Sequence, residues 1–194
     1  MIEITNILDV EKHLDGIEAV VFDLDDTLYS EKDYVRSGFQ AAAPDKFDAL
    51  WRAFLDGKPA YDTVMPEQKE QALATYRTHK PNISLYPGVY ELLCRIKTGS
   101  WKLGLITDGR PEGQWAKIDA LGIRVLFDEI IVTDELGGAA FRKPCDKAFR
   151  LMQEAVDVPF ERMVYIGDNL KKDFIAPEQL GMKTVWLENT EGLY

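Results

Sequence analysis

Five apolar runs of strand length, Ala19–Asp23, Leu103–Thr107, Glu129–Thr133, Met163–Asp168 and Lys183–Leu187, recur along the chain, mostly with helical patterns between them. Parallel strands can be joined only through a crossover, so this order predicts an α/β protein built on a parallel sheet. Two intervening helices have readable faces. Val89, Leu92, Leu93 and Ile96 step at helical spacing after Pro87-Gly88, and Trp115, Ile118 and Leu121 precede Gly122. Pro144 and Pro177 are expected to open or interrupt helices.

Residues 29–86 break the alternation, because no strand candidate appears between the first strand and the second. That stretch reads as an inserted helical unit. Phe47, Leu50, Trp51, Phe54 and Leu55 form one apolar stripe ahead of Asp56-Gly57-Lys58-Pro59, and Pro66 can open a second helix through Tyr76. The stripe, Trp51 included, is expected to serve internal packing.

Four of the strand-like runs end in or lead to polar clusters. The first, Val20-Val21-Phe22-Asp23-Leu24-Asp25-Asp26-Thr27-Leu28, delivers three carboxylates in four positions. Period-2 alternation puts Asp23 and Asp25 on one side of an extended chain. Like charges held together need a cation or a shared proton to relieve them. The second run ends Thr107-Asp108-Gly109-Arg110, a hydroxyl and free amides that suit a phosphate. The third cluster, Phe141-Arg142-Lys143-Pro144, projects an ammonium after the Gly137-Gly138 loop. The fourth, Gly167-Asp168-Asn169 followed by Asp173, adds carboxylates. In an open parallel sheet the carboxyl ends of neighbouring strands converge on one crevice, so Asp168 can meet Asp23 and Asp25 there. Oxygen-only ligands of this kind suit Mg²⁺.

Composition excludes several classes. The chain has 194 residues, 46% hydrophobic and 29% charged, ordinary for one domain with an insertion. A formal net charge of −10 argues against general affinity for nucleic acid or an anionic membrane, so a bound phosphate must be held locally. No apolar stretch approaches membrane-spanning length, and the N-terminus lacks a basic leader. Cys94 and Cys145 lack metal-ligand spacing and are expected to be buried free thiols, which fits a reducing cytoplasm. Asn82-Ile83-Ser84 is then an accidental match to a glycosylation acceptor. Oligomeric state is not legible in the sequence.

Taken in order, Asp23-Leu24-Asp25-Asp26-Thr27, Thr107, Lys143 and Gly167-Asp168-Asn169 with Asp173 resemble the four motifs of the haloacid dehalogenase superfamily, phosphatase branch. The resemblance implies a Rossmann-like core from residues 1–28 and 87–194, with residues 29–86 as a small helical cap. It implies Mg²⁺-dependent hydrolysis of a small phosphorylated metabolite. Asp23 would be the nucleophile that forms an aspartyl-phosphate, and Asp25 the general acid and base. Metal ligands would be Asp23, Asp168 and the backbone carbonyl of Asp25, with Asn169 and Asp173 behind them. Thr107 and Lys143 would hold phosphoryl oxygens, helped by the amides of Leu24 and Asp108. Asp26 would turn the chain and Thr27 support Asp23.

Within that superfamily, dehalogenases lack an acid at the Asp25 position, and sugar phosphomutases often carry Gly-Val where this chain has Asp26-Thr27. Hydrolysis is therefore expected, with a phosphomutase or a low-turnover binding protein on the same fold as the alternatives. Asp108 departs from the Asn of many relatives, and Arg110 is a candidate partner for its charge. Tyr29, Tyr34 and Tyr61 are candidate cap contacts to substrate, although packing is the commoner use of such residues.

Overall fold

The computed structural model describes residues 1–193. Six strands, β1 (Ile2–Ile4), β2 (Ala19–Phe22), β3 (Lys102–Thr107), β4 (Glu129–Val132), β5 (Met163–Gly167) and β6 (Lys183–Leu187), form one parallel sheet in the order β1-β6-β5-β2-β3-β4. The edge strand β1 has no counterpart among the apolar runs of the sequence. With three residues of alternating exposure, it is recognisable only by its register on β6, Ile2 opposite Val185. Strands β2, β4 and β5 each stop one residue before the run predicted from sequence.

β2 shows how the sheet is filled. Val20 and Phe22 face one core layer with Leu103, Leu105, Val164 and Ile166, against helices α5 (Val89–Thr98) and α6 (Pro111–Leu121). Ala19 and Val21 face the other, with Ile106, Met163 and Tyr165, against α7 (Lys147–Val156) and α8 (Ile175–Leu180). A strand covered on both faces must be apolar throughout, which is why Ala19–Phe22 reads as an unbroken run and is fully buried. Pro177 lies in the first turn of α8, where its missing N–H costs nothing. Pro144 differs from expectation: α7 starts at Lys147, and Lys143–Pro144 is a cis peptide in the turn before it. Arg142 O accepts from Cys145 N at 2.9 Å, closing that turn short of the helix.

Between β2 and α5 the chain builds an all-helical layer of α1 (Glu31–Ala42), α2 (Phe47–Leu55), α3 (Ala60–Val64) and α4 (Lys69–Thr78). Its own core contains Val35, Phe39, Leu50, Ala53, Tyr61 and Ala72. The expected stripe on α2 is only partly internal: Leu50 is buried, whereas Leu55 is 59% exposed. Trp51 is half-buried, stacked between Phe47 and Phe54. α4 packs against α6, the contact that sets this layer over the sheet's carboxyl edge. The thiols are free but only half-buried, Cys94 on α5 and Cys145 before α7, rather than fully buried. Among the described residues no helix is long and apolar enough to cross a membrane.

Asp26 does more than turn the chain. It sits in the left-handed region at φ 54°, and its buried carboxylate accepts from Glu31 N (2.8 Å) at the start of α1 and from Leu193 N (2.7 Å). Its carbonyl accepts from Asn189 Nδ2 at 2.7 Å. One side chain thus ties the first loop, the first inserted helix and the C-terminal segment together. Asp26→Ala is expected to lower stability by roughly 2–4 kcal/mol in denaturant unfolding, from the lost cap, the two stranded amides and left-handed strain. Asp26→Gly should recover the share due to strain.

Candidate active site

The sheet's carboxyl edge opens into a cleft of about 420 Å³ lined by the segments that follow β2, β3 and β5, by α6 and by the loop before α7, including Asp23, Asp25, Asp108, Lys143 and Asp168. The backbone of β2 ends as Asp23 N donates to Ile166 O (2.8 Å), so the Asp23 carboxylate emerges where pairing stops. Lys143, whose side chain has no exposure, contacts Asp23 Oδ1 and donates to the Tyr165 hydroxyl at 2.9 Å. Its Nζ also lies 2.8 Å from Asp173 Oδ1, at an angle that gives a charge pair without a hydrogen bond. Thr27 supports Asp23 from the other oxygen at 3.4 Å.

Asp23, Asp168 and Asp173 bring one carboxylate oxygen each to within 4.8 Å of one another. Burial, with help from neighbouring carboxylates, pushes the Asp23 carboxyl up to about 7 against the pull of Lys143. Burial and the charge of Asp23 push Asp168 up to about 8. One lysine therefore does not neutralise this group, and a hard divalent cation with oxygen ligands fits it. Asp173 stands nearer than the supporting position expected for it. It is fully buried, accepts from Asn169 N at 2.9 Å, and lies beneath Gly167, where an added Cβ would meet its Oδ2 at 2.6 Å. That approach explains the glycine ahead of Asp168. The Trp186 indole donates to the Asp168 carbonyl (2.9 Å), so the C-terminal Trp186-Leu187-Glu188 stretch serves the site from within the chain.

Asp25 lies two residues beyond Asp23 at the cleft and is held by three donors. Lys117 Nζ approaches at 2.7 Å, Gln114 Nε2 at 3.0 Å, and the Tyr29 hydroxyl also bonds to it. Burial alone would raise the Asp25 carboxyl, but the Lys117 charge and these hydrogen bonds outweigh it and hold the group below its ordinary value. Gln114 also donates to the Thr107 hydroxyl at 2.5 Å, linking the ends of β2 and β3 through α6. A general acid, the role that the resemblance implies for Asp25, must carry a proton when it acts. The donors around Asp25 favour its ionised form instead.

The charge of Asp108, where many relatives have Asn, is taken up by its partners. Its carboxylate accepts from Thr133 Oγ1 (2.9 Å), Lys143 N (3.1 Å) and Lys172 Nζ (3.1 Å), so its charge is spent on bracing the lysine loop. Burial opposes ionisation, but Lys143 and Lys172 keep its carboxyl low. Arg110 is exposed and Lys172 holds the place proposed for it. Tyr29 and Tyr34 are buried at the cleft's flank, Tyr34 with Lys117 Nζ 4.3 Å above its ring, and Tyr61 is buried in the helical layer.

Lys117, Gln114, Glu31 and Lys172 are the site residues that the sequence reading missed. Gln114 and Lys117 are three apart on the helix that follows Thr107, so they share a face, and that spacing was a usable signal. Glu31 and Lys172 carried none, since each looks like a solvated charge.

The profile described as Haloacid dehalogenase-like hydrolase matches residues 20–187 of the chain. The chain belongs to that hydrolase family, in its phosphatase branch. It is 31% identical to the glyceraldehyde 3-phosphate phosphatase of Methanocaldococcus jannaschii over 87% of this chain and 84% of that protein. Its fold resembles the magnesium-bound hydrolase YfnB of Bacillus subtilis (TM-score 0.66, 19% identity, 88% and 86% of the two chains). It also resembles a hydrolase of Geobacter sulfurreducens (TM-score 0.70, 16% identity, 88% and 87%).

The two raised carboxyls predict how the site responds to pH. Asp23 and Asp168 titrate higher in the fold, at about 7 and about 8, than their ordinary value of 3.8. The folded state therefore binds more protons, and the stability these groups lend is full below their ordinary value and lost as pH rises through 7 to 8. Added Mg²⁺ should raise the Tm more at pH 8 than at pH 5 in thermal unfolding scans. An equal shift at both would contradict this account.

Proposed function

We propose that this hydrolase cleaves phosphate monoesters of small metabolites by way of an aspartyl-phosphate on Asp23, with Mg²⁺ as cofactor. The observation that carries the reading is the meeting of Asp23, Lys143, Asp168 and Asp173 at one sheet edge, with Asp25 two residues beyond Asp23 and linked to Thr107 through Gln114. The relatives named for glyceraldehyde 3-phosphate make that ester the first substrate to test.

Mg²⁺, held by Asp23, Asp168 and the Asp25 carbonyl with Asp173 as a further carboxylate, would offset charge on the phosphoryl group and its attackers. Thr107 and Lys143, with the amides of Leu24 and Asp108, hold the phosphoryl oxygens. An Asp23 carboxylate oxygen bonds to phosphorus as the ester P–O bond breaks, and the departing alkoxide takes a proton from Asp25. Water then attacks the same phosphorus, gives its proton to Asp25 and releases Asp23 with inorganic phosphate. Lys117 stabilises the carboxylate left after the first transfer. The dianionic phosphoryl group entering beside Asp25 counters the Lys117 charge and favours reprotonation before each turnover. The helices over residues 29–86 act as the cap that shuts water out of the cleft and bears on the leaving group.

Phosphate release from a panel of esters, with and without Mg²⁺, tests the proposal. Activity is expected only with the metal, and free phosphate rather than an isomeric ester as product. Asp23→Asn should lose at least about 10³-fold in kcat with its circular dichroism unchanged. Asp25→Asn should lower kcat/KM, which reports formation of the aspartyl-phosphate, by about 10²–10⁴-fold for an alkyl phosphate but far less for p-nitrophenyl phosphate, since that phenolate leaves without a proton, while the later hydrolysis step slows alike for both. Equal losses on both esters would remove Asp25 from the acid role, and no turnover on any ester would sink the phosphatase mechanism.

A further inference from the structure

Glu31 opens α1, and its backbone amide is fixed by Asp26 Oδ1 at 2.8 Å. Its side chain lines the same cleft as Asp25, Gln114 and Lys117. There, Glu31 Oε2 is buried with no hydrogen-bond partner among the described residues, while Lys117 is engaged with Asp25 at 2.7 Å and forms no ion pair with Glu31. A buried carboxyl oxygen without a partner is destabilising, so its place at an active-site wall calls for a ligand rather than a packing explanation.

The mechanism places that ligand. The ester oxygen must reach Asp25 to be protonated, so the carbon chain attached to it runs past Asp25 along the wall formed by Gln114, Lys117 and Glu31. Gln114 is already bonded to Asp25 and Thr107, and Lys117 to Asp25. Among the described residues, the buried oxygen on that wall with no hydrogen bond is Glu31 Oε2. From this geometry, and resting on the phosphatase reading above, we infer that Glu31 determines specificity by bonding a hydroxyl on the leaving alcohol. A hydroxyl both donates and accepts, so it pairs with a carboxyl in either protonation state. An alcohol bearing a carboxylate instead has no proton to give the accepting Oε2 and adds a second anion beside the phosphoryl group, so it is disfavoured. The substrate class is then the phosphate monoester of a short polyol or hydroxyaldehyde, not of a hydroxy acid.

Three esters separate the possibilities: glycerol 3-phosphate with free hydroxyls, phosphoglycolate with a carboxylate, and p-nitrophenyl phosphate with neither. The wild-type protein with Mg²⁺ should prefer glycerol 3-phosphate to phosphoglycolate by about 10-fold or more in kcat/KM. Glu31→Leu should lower kcat/KM for glycerol 3-phosphate by about 10–100-fold, mainly through KM, with a several-fold smaller loss on p-nitrophenyl phosphate. Glu31→Gln, which keeps the shape and an accepting oxygen, should recover most of that loss and narrow the discrimination against phosphoglycolate. Both variants should keep or raise the Tm, because each removes a buried unpaired carboxyl. Equal losses on all three esters, no loss on glycerol 3-phosphate, or a lowered Tm that accounts for the change would overturn the role of Glu31 while leaving the phosphatase reading intact. A wild-type protein that hydrolyses neither these three nor glyceraldehyde 3-phosphate would overturn both.

Discussion

The Lys143 ammonium, sealed from solvent between Asp23, Asp173 and Tyr165, is the interaction on which the rest of the site depends. A buried charge survives only when paired, and each of its partners belongs to a different part of the chain. Asp23 ends β2, Tyr165 belongs to β5, and Asp173 follows the loop after β5. Lys143 reaches them from the segment before α7, which Asp108 braces through the Lys143 amide. The ammonium therefore fixes the position of the Asp23 carboxylate and ties the ends of β2 and β5 to the segment before α7. It does not balance their charge, and the carboxylate excess that remains is what fits a divalent cation.

A second cation on the same cleft makes the opposite arrangement. Lys117 pairs one to one with Asp25 and, with Tyr29 and Gln114, keeps that carboxyl ionised, whereas Asp23 and Asp168 are pushed towards the protonated form. Carboxylates of identical chemistry in one cleft thus differ because their neighbours differ, which is the usual way such sites divide nucleophilic, ligating and proton-moving duties. The overall excess of acidic residues says nothing about this. Four basic side chains, Arg142, Lys143, Lys117 and Lys172, line the cleft of a protein whose net charge is −10.

Much of the core was legible because its signals are local and periodic. Ala19–Phe22 and Met163–Gly167 are buried on both faces and so are apolar at every position, and Val89, Leu92, Leu93 and Ile96 mark one helical face. β1 escaped because three alternating residues at a sheet edge resemble any short extended segment. α1 and α3 escaped for a different reason. Glu31–Ala42 is mostly polar, and Tyr34, Val35 and Phe39 find their partners only in helices far along the chain. Pro144 was misread because proline at a helix start and proline in a turn before one look alike in sequence.

The sequence by itself determined which residue types would gather at the carboxyl edge, since strand ends in a parallel sheet converge whatever the loops do. It carried Asp23, Asp25, Thr107, Lys143 and Asp168 on recognisable motifs. Tertiary structure alone decided how those groups behave. That Asp108 braces a loop, that Asp173 joins the carboxylate cluster, that Lys117 holds Asp25 ionised and that Glu31 keeps an unpartnered oxygen are consequences of burial and of distances between residues remote in the chain. Desolvation and pairing are properties of a packed environment, and no single stretch of sequence contains one.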